Sequence, residues 1–175
     1  RGFNNMSWEL EMNTYNRANW INDYLLPYLP IPNPPDEQNP INYHRETALP
    51  VLQIRDAINT LNIGLDAYID YEGHAGAFLS EFMGFHGIWY KDLYQYNDID
   101  PCFSAGHIHV GSQVPIDIAK QGTEESIRVL INYLNQFIYT IGDLNSDELV
   151  DILDIILIVN SILGTINLSP LQFLA

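Results

Sequence analysis

Apolar and polar residues alternate cleanly over residues 7–14, with Trp8, Leu10 and Met12 on one side and Glu9, Glu11 and Asn13 on the other. A period of two belongs to a strand with one face on a core and one toward water, so a half-exposed strand is predicted. Residues 27–40 hold six of the ten prolines. Each fixes φ and removes a donor, which predicts an extended surface loop. From Pro50, suited to a first helical turn, the period changes: Val51, Ile54, Ile58 and Leu61 recur at helical spacing, and Asn62-Ile63-Gly64 stops them. Residues 65–71 read as a buried strand. It runs through Glu72-Gly73-His74-Ala75-Gly76, a glycine-pivoted turn, into a helix over 77–85. A short strand is predicted at 107–110. Thr123 then reads as the cap of a long helix, with Glu124 and Glu125 in its first turn and Ile127, Leu130, Ile131, Leu134 and Ile138 as its apolar stripe. Strands alternating with helices predict an α/β domain with a mainly parallel sheet. Three strands make a small sheet for that architecture, so the domain is expected to lack its N-terminal part.

A different pattern begins at Gly142. Asp143, Asn145, Asp147, Asp151 and Asp154 fall at positions 1, 3, 5, 9 and 12 of a calcium-loop register, and Leu149 offers its carbonyl at position 7. Calcium is a hard cation that takes six to eight oxygens, and a 12-residue loop can wrap that many around it. Glu148 stands at position 6, where glycine is usual, and Asp154 is shorter than the usual glutamate. An apolar helix over 152–163 follows, stopped by Gly164. Nine of its side chains are apolar, so it is expected to pack on something.

Composition narrows the partners. The chain carries 22 acidic against 7 basic residues, a net charge of −15, which argues against a nucleic acid and suits cation binding or a secreted protein. One cysteine, Cys102, excludes an internal disulfide and reads as a small buried apolar group. No apolar run reaches the roughly 20 residues of a membrane span. Arg1 is not an initiator methionine, so a longer parent is expected, with any signal peptide outside this chain.

Two resemblances carry functional expectations. Ala75-Gly76-Ala77-Phe78-Leu79-Ser80-Glu81 resembles the nucleophile motif of pyroglutamyl peptidase I, a cysteine peptidase family that removes N-terminal pyroglutamate. Leu49-Pro50-Val51 and the helix after it match that family upstream, and Ala105-Gly106-His107-Ile108-His109-Val110 matches its histidine-bearing strand. The likeness covers roughly residues 7–136. It implies that Ser80 stands in the place of the cysteine, that His109 is the catalytic histidine, and that His74, Gly76 and Glu81 line the substrate site. It also implies that the third catalytic residue, a glutamate, lies upstream of Arg1. On its own spacing His107 is read as outward, and Glu72 and Glu81 as solvated carboxylates. Residues 142–164 look like one repeat of a type I dockerin, a module that binds structural calcium and docks onto a cohesin.

The expected fold is therefore α/β: a truncated three-layer sheet with flanking helices over residues 1–138, then half a dockerin, an EF-hand-like loop and helix, over 142–175. The expected function is that of a secreted pyroglutamyl-peptidase-like hydrolase, with a peptide substrate and a possible cohesin-like partner. The alternative is an inactive homologue acting as a calcium-dependent docking module.

Overall fold

The computed structural model describes residues 6–22, 26, 33–73, 76–97, 101–135, 142–147, 149–168 and 172. Its centre is β1, Ser7–Glu11, flanked by β4, Asp66–Asp70, and β5, His107–Val110. β4 runs parallel to β1 and β5 antiparallel, so the expected mainly parallel sheet is mixed instead. The register sets Trp8 beside Ala67 and Val110, and Leu10 beside Ile69 and Ile108. These make the apolar face foreseen from the alternation. Two helices cover it: α1, Val51–Thr60, and α3, Ile116–Leu134.

α1 forms as the spacing predicts. Val51, Ile54 and Ile58 are buried against Trp8, Leu10, Ala67 and Ile69. Burial of such side chains is worth about 1.5–3 kcal/mol each. Asn59 ties the helix to β4, accepting from the Ala67 N–H (3.0 Å) and donating to its carbonyl (2.9 Å). Beyond Leu61, Asn62 and Gly64 take positive φ and turn the chain into the strand.

α3 differs from expectation. It starts at Ile116, seven residues before Thr123, whose hydroxyl donates to the Ala119 carbonyl inside the helix. Pro115 holds the N-cap position and fixes the start. The buried side is not the predicted stripe. Gly122 and Ser126 are buried, while Ile127 and Ile131 are about half exposed. Small residues face inward because Trp8 sits there: a Cβ at Gly122 would lie 3.2 Å from its ring, and its Nε1 donates to Ser126 Oγ at 3.1 Å.

On the other side of the sheet lies α2, Leu79–Tyr94, longer than the 77–85 predicted, against the antiparallel pair β2, Asn13–Tyr15, and β3, His44–Glu46. Arg45 joins these parts. Its guanidinium reaches buried Asp36 (2.8 Å) in the 33–43 loop and Asp92 (2.5 Å) on α2, and lies over Phe85 and Trp89. Helices on both faces make the three layers expected. The last described helix is α4, Ile152–Ile162. Gly164 ends it at φ +70°, and the Thr165 N–H returns to the Asn160 carbonyl (2.9 Å), as expected of a glycine stop. Its apolar side chains are mostly exposed among the described residues, contrary to the expected packing. The expected domain boundary at 139–142 falls mainly on residues outside those described. No described helix is long and apolar enough to cross a membrane.

Burial pushes the Asp36 carboxyl up, but hydrogen bonds from Asn39, Arg45 and the Gln38 N–H outweigh it and hold it below its ordinary 3.8. A depressed carboxyl stabilises above its unfolded pKa and loses that contribution as pH falls through the folded value. Arg45→Ala should cost about 3 kcal/mol at pH 7 by leaving Asp36 buried without its cation. In urea titrations the gap between protein and variant should narrow once the pH drops below 3.8.

Candidate active site

The second face of the sheet is polar and, along β1, buried. Ser7, Glu9 and Glu11 are at most 7% exposed, so the expected half-exposed strand is buried on both faces. A central strand has neighbours on both edges and here layers on both faces, which takes these carboxylates almost wholly out of water. The register arranges them in rungs: Tyr68, Glu9 and His109 lie side by side, and so do Asp70, Glu11 and His107.

His109 is the hub. Its Nδ1 lies 3.0 Å from Glu11 Oε1 and 3.7 Å from Glu9 Oε2. By strict hydrogen-bond geometry neither Glu11 oxygen has a partner, so the short contact with His109 stands as an ion pair, and His109 Nε2 has no partner either. Burial raises the Glu11 pKa, with His109 pulling the other way and Asp70 and Glu9 adding to the rise. Burial and a hydrogen bond to Glu9 raise that of Tyr68, which stays a phenol and donates. His107 is not outward. Residues two apart on a strand share a face, and its ring meets that of His109 at 4.5 Å. Burial and then the neighbouring His109 push its pKa down to about 4, so at pH 7 it is neutral.

Ser80 stands in the first turn of α2. The turn from β4 is tight: Asp70 Oδ1 accepts from the N–H groups of Glu72 and Gly73. A Cβ at Gly73, where φ is +69°, would stand 2.1 Å from the Asn13 carbonyl oxygen. Gly76 and Ala77 also take positive φ before Phe78 opens the helix. One turn past Ser80, a Cβ at Gly84 would lie 3.1 Å from the His107 side chain, so α2 lies directly against β5. Ser80 Oγ is buried and has no hydrogen-bond partner. The direct hydrogen bond to His109 that a dyad would use is therefore not made in this state.

The other expected site residues fall as follows. Glu81 is wholly buried, not solvated; it accepts from Arg17 Nε (2.6 Å), Ala77 N–H (2.9 Å) and Tyr15 N–H (3.3 Å) and braces the turn onto β2. His74 lies outside the described residues. Cys102 is half-buried, its thiol 3.7 Å from the Ser104 carbonyl.

In the 143–154 loop, Asp143 and Asp154 are buried. Asp154 accepts from Leu144 (2.7 Å), Asn145 (3.1 Å) and Asp151 (2.9 Å) backbone N–H groups, and the last of these bonds leads the causes that lower its pKa. Asp143 and Asn145 both accept from the Asp147 N–H, and Asp147 from that of Leu149. Asp151 caps α4. Ser146 bends the loop at φ +61°; Glu148, where a strained turn was expected, lies outside the described residues.

Sequence reasoning missed Glu9 and Glu11. The signal was present: two carboxylates on one face of a strand, and an HxH pair on one face of another. Alternation alone turns Glu9, Glu11 and His107 toward water, because nothing in the sequence places a layer over them.

No family model and no curated protein matches the chain. Solved structures do. Pyrrolidone carboxyl peptidase from Thermococcus litoralis superposes with a TM-score of 0.58 at 21% identity, over 75% of this chain and 62% of that one. The enzyme from Pyrococcus furiosus gives 0.56 at 16%, over 73% and 64%. Pyroglutamyl peptidase I from Bacillus amyloliquefaciens gives 0.53 at 18%, over 71% and 60%. The chain thus spans less than two thirds of the length of these peptidases and, over roughly three quarters of its own, shares their fold.

Proposed function

We propose that this chain is a hydrolase of the pyroglutamyl-peptidase type, cleaving N-terminal pyroglutamate or a related amide, with Ser80 as nucleophile and His109 as base. One observation carries the reading: a buried carboxylate, Glu11, lies 3.0 Å from His109 Nδ1 while Nε2 is uncommitted. A histidine base works when a third group holds its tautomer and stabilises the imidazolium that forms. Glu11, with Glu9 behind it, supplies that group from β1, so none is required upstream of Arg1.

In this mechanism Nε2 takes the Ser80 proton as Oγ attacks the amide carbonyl. The Leu79 and Ser80 N–H groups at the start of α2 face the developing oxyanion, those of Glu81 and Phe82 being taken by the Phe78 carbonyl (3.1 and 3.3 Å). His109 then returns the proton to the leaving amine, and water releases the acyl group. Neither Ser80 Oγ nor His109 Nε2 gives up a hydrogen bond to come together, since neither makes one. The purified chain should hydrolyse a pyroglutamyl arylamide. Ser80→Ala should lower kcat/KM by roughly 10³-fold or more, and Ser80→Cys should retain or raise it, because a thiol loses its proton more readily. Equal rates for the protein and Ser80→Ala would end this reading.

For the tail we propose structural calcium held by Asp143, Asn145, Asp147, Asp151 and Asp154 with the Leu149 carbonyl, in an extracellular setting. The donors are all oxygens, the chemistry calcium takes. The exposed apolar α4 favours a docking role beside it, onto a cohesin-like partner, and would be the main function if the hydrolase proves inactive. Calorimetry should show calcium binding in the ~10⁻⁴–10⁻³ M range. Asp143→Asn with Asp147→Asn should abolish it, and magnesium should compete poorly because it holds its octahedral water shell. Absence of heat at millimolar calcium would contradict the assignment.

A further inference from the structure

We propose that Glu9, Glu11 and His109 form a binding site for a divalent transition-metal ion of the zinc class. Among the described residues these three bring one donor atom each to within 4.8 Å of one another, and all three are buried. The spacing is close to what a metal needs. Bonds of about 2.0–2.2 Å set neighbouring ligands ~3.0 Å apart in an octahedron and ~3.4 Å apart in a tetrahedron. Here His109 Nδ1 stands 3.0 Å from Glu11 and 3.7 Å from Glu9.

A second observation points the same way. Glu11 has no exposed surface, and neither carboxylate oxygen has a hydrogen-bond partner. Buried carboxylates are normally paired or bound to metal, because an isolated one forfeits its hydration. The ion pairs of Glu9 and Glu11 go to His109 alone among the described residues. One imidazole cannot balance two carboxylates; a divalent ion can. One nitrogen and two oxygens form a mixed set that suits zinc, whereas calcium and magnesium prefer oxygen alone. Tyr68 lies beside Glu9 in the sheet, in the place of an outer partner for a ligating carboxylate.

The metal site stands independently of the hydrolase reading, but its consequence rests on it. A ring bound through Nδ1 carries its remaining proton on Nε2 and cannot take one from Ser80. Metal and base would compete for His109.

The test titrates the metal-free full chain with cobalt(II), read by visible absorption, and then displaces it with zinc counted by mass spectrometry, calcium being present throughout. One ion per chain is expected. Glu11→Gln keeps the shape and removes only the charge, so it should fold. It should weaken binding by roughly 100-fold or more, while exposed His44→Gln leaves it unchanged. Thermal unfolding of the unmutated protein gives a second readout: zinc should raise the midpoint and magnesium should not. Failure of cobalt to give a ligand-field band, or zinc binding that survives Glu11→Gln and Glu9→Gln alike, would overturn the site. Pyroglutamyl arylamide hydrolysis is measured separately with and without zinc. Inactivity with intact zinc binding removes the hydrolase and leaves the metal site; zinc-insensitive activity removes the competition.

Discussion

The structure depends on two glutamates buried in the central strand. β1 has a neighbour on each edge and a layer on each face, so its side chains meet protein rather than water. Trp8 and Leu10 are satisfied by apolar contact. Glu9 and Glu11 face what β4 and β5 set beside them, namely Tyr68, Asp70, His107 and His109. A buried ion is expensive when a partner is removed, so the identities on these three strands are mutually constrained. The same constraint shapes α2: Gly84 has no side chain because His107 occupies the space one would fill.

Much of the fold was legible because it follows from local periods. The apolar face of β1, the inward residues of α1, the strand at 107–110 and the glycine stops at Gly64 and Gly164 all rest on spacing or backbone chemistry that tertiary context did not override. What was not legible needed knowledge of neighbours. Glu9 and Glu11 look like solvent-facing residues unless a layer is known to cover them. Ile127 and Ile131 look like core, yet the bulk of Trp8 demands Gly122 and Ser126 at the helix interface instead. Glu81 becomes a brace only because Arg17 and two backbone donors converge on it.

The site inherits this division. The strand–turn–helix geometry that sets Ser80 in the first turn of α2 is local, built from Asp70 capping the turn and glycines at positive φ. The histidine's environment is non-local, since residues about a hundred positions apart supply its carboxylates. That is why motif order could point to His109 while the acid beside it stayed hidden. In the proposed hydrolase, serine in place of a thiol makes the arrangement of that acid decisive, because a hydroxyl needs an oriented base to react.

The central claim is that Glu11 orients His109. It is tested most directly by ¹⁵N NMR of the imidazole in metal-free protein at pH 8, compared with Glu11→Gln. The account predicts that His109 carries its proton on Nδ1, leaving Nε2 bare, and that the tautomer preference weakens in the variant. A proton resident on Nε2, or spectra identical in the two proteins, would contradict it.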